Sequence, residues 1–359
     1  MTRSLLMAAL IFAVCSPVSA RVYERSASKP GKTQKEKARP SPGARKAADE
    51  DEPVRLSTLL VTVPVTVRDR KNRHITNLRR EDFQVFENGV EQQIVSFSPA
   101  EVASSLQPFT VALLLDVSDS TEFQLDNIKA TASTFVDQLP PQARVMVVAF
   151  DRVVEILCEP TLGRAHAHEA ILRAKTGEGG TSVYNAVEMI INQRLREISG
   201  RRAIVLFSDG VDTTSRGATS VSNIRAAEQS EVIVYPIQYN TVDAATRRSK
   251  SGKIQEKHRE GPLIFTSPAQ NEKSRQRAFD EATIYMRQLA QSSGGEFYYG
   301  DNLERVSQAF ARIAEDLREQ YVLGYYPQTA PQPGERREIT VKVSQPKTFV
   351  RARRSYVVK

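Results

Sequence analysis

Asp116-Val117-Ser118-Asp119-Ser120 follows directly on the apolar run Val111-Ala112-Leu113-Leu114-Leu115. One carboxylate and two hydroxyls at alternate positions, just past the end of a strand, set three hard oxygen donors on a single turn. Mg²⁺ prefers oxygen ligands and near-octahedral geometry, and it keeps some of its water. Alone the pattern is weak, because Asp and Ser are ordinary turn residues. Two more segments strengthen it: Gly179-Gly180-Thr181-Ser182 opening a helix, and Leu206-Phe207-Ser208-Asp209-Gly210 closing another apolar strand. The competing reading is structural, since Asp, Ser and Thr also cap helices and turns without any metal.

The elements that must position these residues follow from periodicity. From about Pro108, strands and helices alternate: strands at 109–115, 144–150, 153–158, 202–208, 232–239 and 296–299. Between them fall helices near 164–175, after Thr181, at 219–230 and at 279–292, and a helix carrying Ile128, Phe135, Val136 and Leu139. A last helix spans 302–319. Such alternation predicts an α/β fold with a doubly wound, mostly parallel sheet, whose ligands bind beyond the carboxyl ends of the strands. Asp116 and Asp209 both fall at such ends. The flanks are different. Residues 54–100 read as β-rich, with alternation over Leu59 to Val67, an edge or irregular position at Pro64, and a hairpin signal at Asn88-Gly89. Residues 321–359 return to strands. The two flanks are expected to form one small all-β domain around the α/β body at 107–320, which carries a polar insertion at 240–277.

The three oxygen-bearing segments resemble the von Willebrand factor type A domain and its metal-ion-dependent adhesion site. By that resemblance Ser118 and Ser120 would touch a divalent cation directly. Thr181 would bind it directly or through water, and Asp116 and Asp209 would act mostly through water. The ion would be Mg²⁺, or Mn²⁺ or Ca²⁺, and its open position would take an Asp or Glu carboxylate from a protein ligand. Asp119 departs from the small residue commoner at its position. Over residues 55–359, the hairpin, the A domain and the Tyr-rich tail also resemble exported A-domain proteins described from acidobacteria.

Residues 1–20 read as an export signal: Arg3, the short apolar stretch Leu5 to Val14, and Val18-Ser19-Ala20 as cleavage site. That stretch is too short to span a bilayer, and no later segment has the uninterrupted apolar length of a membrane helix, so no transmembrane helix is expected in the mature chain. Localisation is then periplasmic or extracellular, in a bacterium. Residues 21–53 read as a disordered basic linker; Arg21 to Glu50 holds five of the chain's eight net positive charges. The folded body is therefore near neutral and gives no case for specific nucleic-acid binding, while residues 21–50 could rest on an anionic cell-surface polymer. Loss of Cys15 with the signal would leave Cys158 alone, read as an inert buried thiol.

His166 and His168 form an H-x-H without a third ligand, and His74 and His258 stand isolated in polar loops. Neither a G-x-S-x-G elbow, nor a P-loop, nor an H-E-x-x-H pair occurs, which argues against an enzyme. Tyr298-Tyr299 and Tyr325-Tyr326 are candidate partner anchors or sheet-packing residues, and Asp212 reads as a turn residue. The expected function is metal-dependent protein binding. The alternatives are an envelope protein that binds anionic polymer through its basic arm, and a metal-dependent hydrolase.

Overall fold

Val61, Val63, Val65 and Val67 alternate along β1 (Val61–Arg68) and all four are buried, the period-two pattern of a strand with one face in a core. The computed structural model describes residues 59–100, 102, 109–119, 125–177, 179–239 and 268–358. The expected signal, the basic linker, Ser120, His258 and residues 240–267 of the insertion lie outside them. After β1 come β2 (Phe83–Glu87), β3 (Val90–Gln92) and β4 (Ile94–Ser98). Asn88 and Gly89 join β2 to β3 with φ of 49° and 83°, the left-handed pair that a two-residue hairpin requires.

The α/β body starts at β5 (Phe109–Asp116) and continues through α1 (Leu125–Gln138), β6 (Ala143–Phe150), β7 (Val154–Thr161) and α2 (Arg164–Arg173). Next is α3 (Val183–Met189), which widens into a π turn at Ile190–Leu195. Then follow β8 (Arg201–Ser208), α4 (Ser220–Gln229), β9 (Val232–Tyr239), α5 (Pro268–Ser293), β10 (Tyr298–Gly300) and α6 (Leu303–Arg318). The sheet order is β10-β9-β8-β5-β6-β7, parallel except for β7. From Val111 to Leu115, β5 is apolar because both its faces are covered. Leu113 and Leu115 face α1 and α6, and Ala112 and Leu114 face α3 and α5.

The chain closes with β11 (Tyr321–Tyr325), β12 (Arg336–Val343), β13 (Phe349–Ala352) and β14 (Ser355–Val357). These pair with the first four strands into two antiparallel sheets, β13-β1-β11-β4 and β14-β12-β2-β3. Val63, Val85, Leu323 and Ile339 meet in their shared core, so the flanks form the small all-β part expected of them. β1 is interior to its sheet, but β13 pairs only from Val65 onward. Pro64, which has no N–H to give a ladder, occupies the half that β13 does not reach. The Arg353 guanidinium instead donates to the Thr62 carbonyl at 2.8 Å.

Three local expectations change. The single tail strand at 350–358 is two strands, β13 and β14. Helix α5 begins at Pro268, inside the stretch expected as insertion, because Lys, Arg, Gln and Glu at 271–277 favour helix while giving no apolar stripe. Cys158 is half-buried on the edge strand β7, its thiol donating to the Glu159 carbonyl at 3.2 Å, and desolvation raises its pKa.

One sheet of the flanks, β13-β1-β11-β4, is fastened to α6 by buried charge. Asp316 on α6 has no exposed surface and is paired with Arg68 of β1 and Arg351 of β13. Glu296 receives Arg68 at 3.0 Å and also pairs with Arg351. His74, expected in an isolated polar loop, has a buried side chain, with Nε2 2.7 Å from Asp316 Oδ1; a contact across 242 residues leaves no local signal. Burial pushes the Asp316 pKa up, but the His74 hydrogen bond and the two guanidinium groups outweigh it and hold it at about 2. Removing one partner of such a group strands the others. Asp316→Asn is therefore expected to cost about 3 kcal/mol, read from urea unfolding at neutral pH. Because the folded pKa is depressed, the unfolded chain takes the proton first. The Asp316 contribution is thus present above about pH 4 and is lost as pH falls toward 2. The acid limb of the stability curve should be shallower in the Asn variant.

Candidate metal centre

The register of β5 on β8 places Leu115 level with Phe207, so Asp116 and Ser208 come next, side by side, where the strands end. Ser208 Oγ donates to Asp116 Oδ2 at 2.5 Å. The other carboxylate oxygen accepts the Ser118 amide at 3.0 Å and the Ser118 hydroxyl at 2.6 Å. Ser208 in turn accepts the Gly210 amide at 2.9 Å. Asp116 has no exposed surface, and Ser118 and Asp209 are buried. Asp209 Oδ1 accepts the Val211 amide at 3.0 Å, and the Gln238 side chain holds the Asp209 carbonyl at 2.9 Å.

Burial, and after it the charge of Asp209, raises the Asp116 pKa to about 7. The hydrogen bonds from Ser118 and Ser208 act the other way. Two carboxylates thus interact unfavourably in a desolvated pocket whose near neighbours are hydroxyls.

Thr181 arrives on a separate turn. Gly179 and Gly180 have φ of 95° and 82°, a left-handed conformation that residues with a Cβ resist. A Cβ on Gly180 would also stand 2.6 Å from Thr214 Cγ2. The Thr181 amide donates to Thr213 Oγ1 at 2.8 Å, and its carbonyl accepts the Thr213 and Thr214 amides at 2.8 and 3.0 Å. Asp212, read as a turn residue, accepts the Tyr184 amide at 3.1 Å and the Ser215 hydroxyl at 2.6 Å. It thereby satisfies an orphan amide in the first turn of α3. The loop after β8 therefore carries Asp209 and also anchors the Thr181 turn.

Of the five candidate ligands, Asp116 and Ser118 are in direct contact, Asp209 acts on Asp116 through its charge, and Thr181 is buried on the turn tied to the β8 loop. Ser120 is not described, and Asp119 is exposed. The donor set is oxygen throughout, with two close carboxylates, which fits a hard divalent cation whose charge would relieve their repulsion. Among the described residues, no group of three or more His, Cys, Asp or Glu is placed to hold a metal. His168 lies 2.8 Å from Asp137, and His166 is exposed on α2. Ser208 and Thr213 were not singled out from sequence; the only signal was their position beside Asp209.

Residues 111–211 match the sequence profile of the von Willebrand factor type A domain. The match lies within the α/β body and runs from β5 to the loop after β8. Several solved structures align with parts of the chain at low identity. An aerotolerance-related membrane protein from Bacteroides fragilis is 17% identical, with 58% of this chain and 98% of that one covered and a TM-score of 0.42. For a von Willebrand factor type A protein from Catenulispora acidiphila the values are 9%, 87%, 76% and 0.43. For proximal thread matrix protein 1 from the mussel byssus, with a zinc-occupied MIDAS motif, they are 13%, 60%, 46% and 0.41. No curated protein matches the chain. No helix among the described residues is long and apolar enough to cross a membrane.

The glycine pair makes a testable claim about the Thr181 turn. Gly180→Ala meets both a forbidden φ and the Thr214 side chain, whereas Gly217, with φ of 95°, has nothing within 4 Å of an added Cβ. Gly217→Ala should cost about 1 kcal/mol, the ordinary penalty for that backbone region. Gly180→Ala should cost about 1–3 kcal/mol more, measured side by side by chemical denaturation.

Proposed function

We propose that this chain is an exported binding module that captures an acidic group of a protein partner through a divalent cation. The ligands in this reading are Ser118, Ser120 and Thr181, with Asp116 and Asp209 orienting the metal waters and balancing charge. The ion is Mg²⁺, with Mn²⁺ or Ca²⁺ as substitutes. When bound, it supplies a Lewis-acidic position for a ligand carboxylate. The observation that supports this most directly is the fully buried Asp116 carboxylate, held by Ser118 and Ser208 beside Asp209 at the strand ends.

Hydroxyl-rich coordination donates little negative charge, so the ion stays electrophilic and suited to holding a carboxylate rather than activating water. The reading requires no catalytic base. Residues 1–20 would direct export to the periplasm or the outside, and 21–53 would tether the folded part. Residues 54–100 and 321–359 would carry the A domain at 107–320 as a platform.

Calorimetric titration of Mg²⁺ and Mn²⁺ into EDTA-stripped protein tests the ligand set. One-site binding is expected in the parent. A folded Ser118→Ala, Ser120→Ala double variant should lose at least about tenfold in affinity, roughly 1.4 kcal/mol. Equal affinity in the two proteins would remove both serines from the site.

A further inference from the structure

A second cleft lies at the other end of the central sheet. Arg202, near the start of β8, is six residues from Ser208, which places the cleft about 20 Å from the candidate metal centre at about 3.3 Å per residue. The cavity is about 320 Å³, within the range of small-molecule sites. Ile191, Ala226 and Val358 give it an apolar floor, and Arg196, Arg202 and Asn192 line its polar side.

Three independent features of this cleft point to a ligand. Arg202 is nine-tenths buried; its two terminal nitrogens donate to the Leu195 carbonyl at 3.0 Å and Glu231 at 3.3 Å, while its buried Nε has no partner. Arg196 is exposed and makes no ion pair among the described residues. The lining therefore carries two cations, of which Arg202 is paired with Glu231. Finally, Ile191 and Asn192 are presented by the π turn at Ile190–Leu195, a widened helical turn that recurs at functional sites.

We propose that this cleft binds an organic carboxylate with a short aliphatic body. The aliphatic part packs on Ile191, Ala226 and Val358. The carboxylate accepts from Arg196 and from the terminal nitrogens of Arg202, whose planar donor forks suit carboxylate oxygens. The Asn192 and Gln229 side chains, also in the lining, supply further donors. A free short-chain acid and the C-terminus of a peptide ending in an aliphatic residue share this chemistry. Neither involves the metal centre.

The test follows the arginine Nε–H resonances of the full chain, labelled with ¹⁵N and kept in EDTA, during titration with isovalerate. Saturable shifts at Arg202 and Arg196 are expected. They should be absent with the neutral isovaleramide, weakened about tenfold or more by Arg196→Gln, and unchanged in the Ser118→Ala, Ser120→Ala variant. Arg196 is exposed, so its replacement should leave the fold intact. Acetyl-Gly-Gly-Val with a free carboxylate distinguishes the sources: tighter binding than isovalerate favours a peptide terminus, and weaker binding favours a free acid. No saturable shift, equal binding of acid and amide, or undiminished binding in Arg196→Gln overturns the proposal. Loss in the serine variant alone would place the carboxylate at the other site.

Discussion

A carboxylate shut away from water must be compensated, and the α/β body is arranged around one. Asp116 ends the central strand, where β6 lies on one side and β8 on the other, so it stands at the point where the chain's winding reverses. Sheet register, rather than any loop alone, brings Ser208 against it. The same strand end delivers Asp209, whose charge makes the compensation by hydroxyls incomplete. That residual imbalance links the fold to its proposed use. A cation of hard character would stabilise the ionised pair, whereas two carboxylates without one must share the cost of burial.

Buried charge also determines how the flanks attach. The last helix of the α/β body is amphipathic, with Val306, Phe310, Ile313 and Leu317 turned to the sheet. Asp316, beside Leu317, reaches Arg68 and Arg351 on adjacent strands of the all-β part. An apolar contact there would hold the two parts together but would leave their register free. Paired guanidinium groups on a fully buried carboxylate fix it. A second buried cluster lies within the all-β core, where Glu87 takes the Arg337 guanidinium at 2.6 Å and the hydroxyls of Tyr325 and Tyr356 at 2.7 and 2.8 Å.

What could be read from sequence was local and periodic. β9 lies at 232–239 as expected, since a run of Val, Ile and Tyr between polar residues allows little else. Asn88-Gly89 announced its hairpin for a stereochemical reason. The three candidate metal segments were visible because each joins a strand end or helix start to oxygen-bearing side chains. What escaped was what distance in sequence conceals. His74 looked isolated because Asp316 is 242 residues away. The polar start of α5 looked like a loop because a helix exposed on most sides has no stripe to detect. Each tyrosine pair is divided: Tyr298 and Tyr325 are buried, Tyr299 and Tyr326 exposed. Composition could not choose between packing and presentation, because both occur.

The central claim is that one divalent cation sits where β5, the Thr181 turn and the β8 loop converge. Crystals of residues 54–359 grown with Mn²⁺ and measured at a wavelength where manganese scatters anomalously test it directly. The account predicts a single strong anomalous peak bounded by Asp116, Ser118, Thr181 and Asp209. A map with no peak there, or with manganese bound elsewhere on the protein, would contradict it.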